Sequence, residues 1–227
     1  MEIINSHNYK LLVVGGTGFI GKHVVKKALL KGFNITVLSK NPCDASNRFN
    51  DVRYISADIS HKSSLIKNLS NMYFDYVVNL GGYINHSKYL SGGSDIYDVH
   101  FNGTRNLVDC LDRSILKCFI QIGSSDEYGN NMAPQSETQR EKPVSIYSCA
   151  KAASTFFLQT LYSTEGFPAV ILRPFLVYGP WQGQDRFIPQ VINGCINKQN
   201  FPTSKGCLLY TSPSPRDRTR SRMPSSA

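Results

Sequence analysis

The feature that most limits what this chain can become is a glycine-rich turn set between an apolar strand and a helix. Residues 10–14 (KLLVV) form a short β-branched run, and GGTGFIG follows at once. In the next stretch, KHVVKKALLKG, Val24, Val25, Ala28 and Leu29 fall at helical spacing and Gly32 supplies a stop. Gly15, Gly18 and Gly21 thus stand as G-x-x-G-x-x-G across a strand–turn–helix junction. Glycine allows positive φ in a tight turn and lets backbone N–H groups approach a pyrophosphate at a helix N-terminus. The spacing differs by one residue from the commoner G-x-G-x-x-G fingerprint. Its meaning comes from the strand before it and the helix after it.

The rest of the chain repeats that alternation. Strand-like runs recur at ITVL (35–38), VRYIS (52–56), DYVVNL (75–80), KCFIQIG (117–123) and PAVILRP (168–174), with helical segments near 62–70, 95–113 and 145–165. Several strands are apolar on both faces, which predicts a buried parallel sheet. With right-handed crossovers, the expected architecture is α/β, a doubly wound parallel sheet. At 227 residues the chain can bury one sizeable core.

Composition excludes other classes. Hydrophobic residues at 41% and charged residues at 18% fit neither a disordered chain nor a coiled coil. No long apolar run predicts a membrane helix, and Met1-Glu2-Ile3-Ile4-Asn5 lacks the pattern of a secretory signal. Cys43, Cys110, Cys118, Cys149, Cys195 and Cys207 are scattered without a C-x-x-C pair, so neither a metal site nor a disulfide framework is expected, and a reducing, cytoplasmic setting fits. The net charge of +9 includes +3 from Arg216, Arg218, Arg220 and Arg222 against Asp217. The remainder forms no basic stripe with interleaved aromatics, so no nucleic-acid or membrane partner is expected.

The tail stands apart. From Cys207 it reads CLLYTSPSPRDRTRSRMPSSA, rich in Ser, Pro and Arg and without apolar periodicity after Tyr210. The run Cys207 to Asp217 resembles the translation of a sequencing-library adapter. Residues 207–227 are therefore expected to be a non-native disordered tail, the alternative being a natural one. Residues 1–178 would be the dinucleotide-binding domain and 179–206 the start of a truncated substrate lobe.

Two later motifs carry chemistry. Tyr147-Ser148-Cys149-Ala150-Lys151 puts a phenol and an ammonium at i and i+4 on one helical face. The ammonium is expected to favour the phenolate and lower the tyrosine pKa. Upstream, Gly123-Ser124-Ser125-Asp126-Glu127-Tyr128-Gly129 ends a strand with hydroxyls where open α/β sheets hold ligands. The second strand ends at Leu38-Ser39-Lys40, without the acid that would grip an NAD ribose. Ser39 and Lys40 would instead meet a 2′-phosphate, so NADP(H) is preferred and NAD(H) possible, unless Lys40 is only an exposed turn lysine.

GGTGFIG, Y-x-x-x-K and Leu172-Arg173-Pro174-Phe175-Leu176-Val177-Tyr178-Gly179-Pro180 resemble, in order and spacing, the extended short-chain dehydrogenase/reductase family, and within it the nucleotide-sugar epimerases, dehydratases and 4-ketoreductases. The resemblance covers most of residues 10–190. It implies a Rossmann-like fold in which Gly15, Thr17, Gly18, Phe19, Ile20 and Gly21 hold the pyrophosphate. Asp58 and Ile59 would meet the adenine, Leu80, Gly81 and Gly82 would pass under the cofactor, and Pro174 would lie beside the nicotinamide. Tyr147 and Lys151 would act with Ser125 on the sugar oxygen, while Ser125, Asp126, Phe175 and Arg186 would contact substrate.

The segment before Tyr128 is one residue shorter than the family's S-[ST]-x-x-x-Y-G. Alignment from the left makes Ser125 catalytic and alignment from the right makes Ser124 so. Ser125 is preferred because Ser-Asp-Glu then overlays the Thr-Asp-Glu of 4,6-dehydratases, where the two acids remove water across C5–C6. Asp126 and Glu127 are nevertheless expected to form a solvated loop pair. His100 stands where the family usually has asparagine and is expected to be a satisfied helix histidine; His86 is expected in a surface loop.

The resemblance implies a homodimer and a nucleotide-sugar substrate. C4 epimerisation or 4-keto reduction is the first expectation and 4,6-dehydration the second. A non-catalytic dinucleotide-binding sensor is the rival of another class.

Overall fold

The computed structural model describes residues 9–199. The expected tail, 207–227, and the end of the expected lobe, 200–206, lie outside the described residues. Six strands form one parallel sheet: β1 (Lys10–Val14), β2 (Asn34–Ser39), β3 (Val52–Ser56), β4 (Tyr76–Asn79), β5 (Cys118–Ile122) and β6 (Ala169–Leu172). Their order is β3-β2-β1-β4-β5-β6, and every neighbouring pair is parallel. The winding reverses between β1 and β4. Both strands therefore deliver their following loops to one crevice, where such sheets take ligands.

The connecting helices are α1 (Phe19–Leu29), α2 (Lys62–Leu69), α3 (Gly93–Tyr97), α4 (Gly103–Cys110), α5 (Ile146–Glu165) and α6 (Phe187–Ile196). The helix expected near 95–113 is interrupted, since a π-helical turn over Asp98–Asn102 joins α3 to α4. Extra residues of this kind re-aim side chains and occur at functional sites. Helix α6 went unanticipated. None of its residues is buried, so its apolar spacing carried no enclosing context.

Alternation along β1 divides the core between the two faces of the sheet. Leu12 and Val14 join Leu38, Val77 and Phe119 beneath Leu65 of α2, Leu107 of α4 and Leu158 of α5. Leu11 and Val13 join Ile35, Val37 and Val78 beneath Val25 of α1. Leu12, Phe119 and Leu158 are wholly enclosed, each such side chain contributing about 1.5–3 kcal/mol of burial. The loop after β6 folds back onto α1: Pro180 O lies 2.9 Å from His23 Nε2, and the Trp181 ring packs 4.7 Å from that imidazole and 6.3 Å from Phe49. No helix among the described residues is long and apolar enough to cross a membrane.

Candidate active site

The glycine turn is built by close backbone approach. Gly15 has φ +74°, and its N–H donates to Leu38 O at 2.7 Å. A Cβ on Gly15 would lie 2.9 Å from Leu80 O, and one on Gly21 would lie 2.3 Å from Gly15 O. Neither position has room for a side chain. Gly18 N-caps α1 with no side-chain cap, and the first turn of α1 carries no acid. The helix N-terminus therefore offers unblocked N–H groups and a positive dipole end, which suits a pyrophosphate.

Beside this cradle, Thr17 Oγ1 and Ser39 Oγ share a hydrogen bond of 2.9 Å. Lys40 Nζ is engaged by Asp58 at 2.9 Å, although the lysine side chain is 71% exposed. Burial raises the Asp58 pKa, but donors on Ser60 and the Lys40 ammonium outweigh it and hold the carboxyl at about 2. The lysine expected to be free for a 2′-phosphate thus has a carboxylate partner. Ile59 sits beneath Gly81 and Gly103, where an added Cβ would meet it at 2.8 Å in each case.

Tyr147 and Lys151 share one face of α5, whose start is capped by Ser145 Oγ accepting from Ser148 N at 3.1 Å. Both are buried. Lys151 Nζ donates to Ile122 O at 2.8 Å, at the end of β5, and lies 5.8 Å from the Tyr147 ring centroid. Burial pushes the Tyr147 phenol up to about 12, against a hydrogen bond from the Ser124 side chain that favours its ionised form. The lowered tyrosine pKa expected from the sequence is therefore corrected. In the protein without cofactor, desolvation wins and the ammonium is turned to a carbonyl. Burial in turn lowers Lys151 to about 8, with the charge of Glu127 opposing.

Two histidines flank the phenol. The exposed His86 lies edge-on to Tyr147 at 5.6 Å, and buried His100 does so at 5.1 Å. His100 Nε2 is 2.9 Å from Tyr83 O. Burial drives its pKa down to about 3. The neutral ring must then carry its proton on Nε2, because the carbonyl can only accept. His100 Nδ1 is buried without a partner, so the expectation of a satisfied helix histidine holds for one nitrogen only. The reason is the π-helical turn, which directs the ring at Gly82 and Tyr147 and away from helical partners.

The expected solvated pair Asp126–Glu127 is corrected at Glu127, which is fully enclosed. Its Oε1 accepts from Ser124 N at 2.8 Å, and its Oε2 from Thr155 Oγ1 and Arg173 Nε, each at 2.8 Å. Arg173 also reaches Glu141 and stacks over Tyr128 at 5.0 Å. Ser125–Tyr128 form a tight 3₁₀ turn, within which the glutamate points inward.

The structure thus brings together the glycine turn, Leu80–Gly82 and Asp58–Ile59 on one side, and Ser124, Tyr147 and Lys151 on the other. Ser125 is buried and its N–H donates to Pro174 O at 3.2 Å. Phe175 and Arg186 lie on the exposed stretch after β6, where the guanidinium faces Asp185 at 3.9 Å. Sequence reasoning missed Thr155 and the partner of Arg173. Thr155 follows Lys151 by one more helical i+4 step, and a lone arginine closing an apolar strand demands an acid. Both signals were present in the residues.

This fold and site define a doubly wound α/β protein with a glycine-rich turn and a tyrosine–lysine pair at the sheet's carboxyl edge. The chain belongs to the NAD dependent epimerase/dehydratase family, whose pattern matches residues 11–217. It is 25% identical over 222 residues to a dTDP-D-glucose 4,6-dehydratase of Dictyostelium discoideum, covering 88% of this chain and 50% of that protein. Similarity to the human dTDP-D-glucose 4,6-dehydratase is 26% over 197 residues, covering 81% and 55%. Among solved structures, a UDP-N-acetylglucosamine 4-epimerase from Methanobrevibacter ruminantium superposes with TM-score 0.74 at 25% identity, covering 85% of this chain and 64% of that one. A UDP-glucose 4-epimerase from Thermotoga maritima gives 0.77 at 22%, covering 87% and 66%, which speaks to the fold alone. The chain spans about half the length of the curated relatives it matches.

Proposed function

We propose that the protein is a nicotinamide-dinucleotide-dependent oxidoreductase acting at C4 of a nucleotide sugar, with epimerisation or 4-keto reduction as its net reaction. The observation that carries this reading is the burial of Tyr147 beside Lys151 at the carboxyl end of β5, with the Ser124 side chain on the phenol. A nicotinamide dinucleotide would take hydride from C4 and return it in epimerisation, or deliver it to C4 in 4-keto reduction. Gly15, Thr17, Gly18, Phe19, Ile20 and Gly21 would hold its pyrophosphate, Asp58 and Ile59 its adenosine, and Leu80, Gly81, Gly82 and Pro174 its nicotinamide half. Tyr147 moves the proton on the sugar O4, and a hydroxyl of the Ser124–Ser125 pair hydrogen-bonds that oxygen. The spacing to Asp126 favours Ser125, and the contact with the phenol favours Ser124. Lys151 turns from Ile122 O towards the ribose, and Asp126, Phe175 and Arg186 face the sugar nucleotide.

The test is a panel of nucleotide sugars with the dinucleotide-loaded protein, following nicotinamide absorbance and product isomers. Interconversion at C4 supports the reading. A 4-keto-6-deoxy product would select 4,6-dehydration, which the names of the two curated relatives favour. Dinucleotide binding without turnover of any sugar would favour the sensor.

NADP(H) preference belongs to the same proposal. It rests on Ser39 and Lys40 and on the lack of an acid at the end of β2. Lys40 has to leave Asp58 to reach a 2′-phosphate, so the preference should be modest, as for exposed ion pairs. Fluorescence titration should show NADP(H) binding several-fold tighter than NAD(H), with Lys40→Ala removing the difference. Equal affinities in the unaltered protein would end the idea.

A cytoplasmic location and a homodimer complete the proposal. The five free cysteines among the described residues suit a reducing compartment. The half-exposed Phe156 and the exposed Leu90 offer apolar surface to a second copy.

A further inference from the structure

The site holds a chain of hydrogen bonds that the proton chemistry above does not account for. Tyr147, Lys151 and Thr155 follow one another at helical i+4 steps and form a stripe on α5. Thr155 Oγ1 donates to Glu127 Oε2 at 2.8 Å. Glu127 Oε1 accepts from Ser124 N at 2.8 Å, and Ser124 Oγ accepts from Asp126 N at 3.1 Å, which makes a capping box. The Ser124 side chain is also near enough to the Tyr147 phenol to favour its ionised form. The path runs from α5 through threonine and glutamate to the serine that stands beside the phenol.

Two further contacts stiffen this path. Arg173 Nε holds Glu127 Oε2 at 2.8 Å, and Lys142 N donates to Glu127 O at 3.1 Å. The packing leaves no slack, because a Cβ on Gly123 would stand 2.3 Å from Glu127 Oε1. Glu127 is fully enclosed and both its oxygens are engaged. A sugar has no route to it.

We propose that Glu127 is a positioning residue: its carboxylate ties the 124–128 turn to α5 and to Arg173, and so holds the Ser124 hydroxyl on the Tyr147 phenol. The inference rests on the reading of Tyr147 as the proton carrier. It assigns Glu127 to the alignment of Ser124 and removes it from contact with substrate. An ionised acceptor suits the task, since charge-assisted bonds are short and directional. A misplacement of the order of 1 Å at a reacting group can cost about a hundredfold in rate.

The experiment uses dinucleotide-loaded protein carrying tyrosine labelled with ¹³C at Cζ, the Tyr147 resonance being assigned by its loss in Tyr147→Phe. Ser124→Ala, Thr155→Val and Glu127→Gln should each move that resonance in the same direction. Thr155→Val should add nothing once Ser124 is alanine, and Thr155→Ser should restore the wild-type position. With a nucleotide sugar, Thr155→Val should lower kcat roughly tenfold, within the range of coupled neighbours, at unchanged KM. If Ser124→Ala moves the resonance while Thr155→Val and Glu127→Gln leave it in place, the clamp is overturned. Additive effects of Ser124→Ala and Thr155→Val would overturn it too. Failure of the unaltered protein to turn over any nucleotide sugar would sink the proposed activity, and the resonance would still decide the clamp.

Discussion

Replacing Tyr147 by phenylalanine is expected to cut hydride exchange with a nucleotide sugar by about 10²- to 10⁴-fold, the share that one positioned acid–base group supplies. Dinucleotide affinity should change little. The phenol is buried and, in the protein without cofactor, held up at about 12; the protonated phenol is the form that gives its proton to a developing alkoxide. Phenylalanine keeps the ring contacts with His86 and His100, at 5.6 and 5.1 Å, and should leave the local packing intact. Turnover followed by nicotinamide absorbance, beside a dinucleotide titration, separates the two effects. Full activity in Tyr147→Phe would show that the proton comes from elsewhere. Asp126 would then be the next suspect, since Glu127 is closed off.

The second large effect concerns stability, and its sign runs against intuition for a functional lysine. Burial lowers Lys151 from 10.5 to about 8 in the folded chain without cofactor. Below pH 8 the ammonium is charged in both folded and unfolded chains, and the folded state bears the whole desolvation cost. As pH rises from 8 to 10.5 the folded lysine loses its proton before the unfolded one does, and that cost disappears. The wild type should therefore gain about 3 kcal/mol relative to Lys151→Met across this window, at roughly 1.4 kcal/mol per pKa unit. Urea unfolding at a series of pH values measures it. Parallel profiles for the two proteins would mean that Lys151 is not desolvated. The same substitution should abolish turnover, a trade of activity for stability common at functional sites.

Much of the fold could be read before any coordinates because its determinants are local. KLLVV followed by GGTGFIG carries β1, the turn and the start of α1, and Gly15 and Gly21 each have a backbone neighbour that leaves no room for a side chain. The six strand-like runs appear within a residue or two of their places. What escaped was non-local. Glu127 reads as a loop acid beside Asp126, and only the meeting of the 125–128 turn with α5 and β6 encloses it. The raised pKa of Tyr147 is not legible in the spacing for a related reason. The i+4 spacing places Lys151 on the same face but says nothing of the Ile122 carbonyl that takes its ammonium. The π-helical turn at Asp98–Asn102 is likewise set by packing against α5, and no spacing rule marks it.

Trp181 is the single tryptophan of the chain, and its indole rests between His23 and Phe49 with the Lys26 ammonium 5.6 Å from the ring centroid. Its ultraviolet emission is therefore an optical probe of one contact, the docking of the loop after β6 against α1. Imidazole and ammonium neighbours quench indole by drawing on its excited state. Brightness and wavelength would thus report how closely the loop lies on α1, with no label attached.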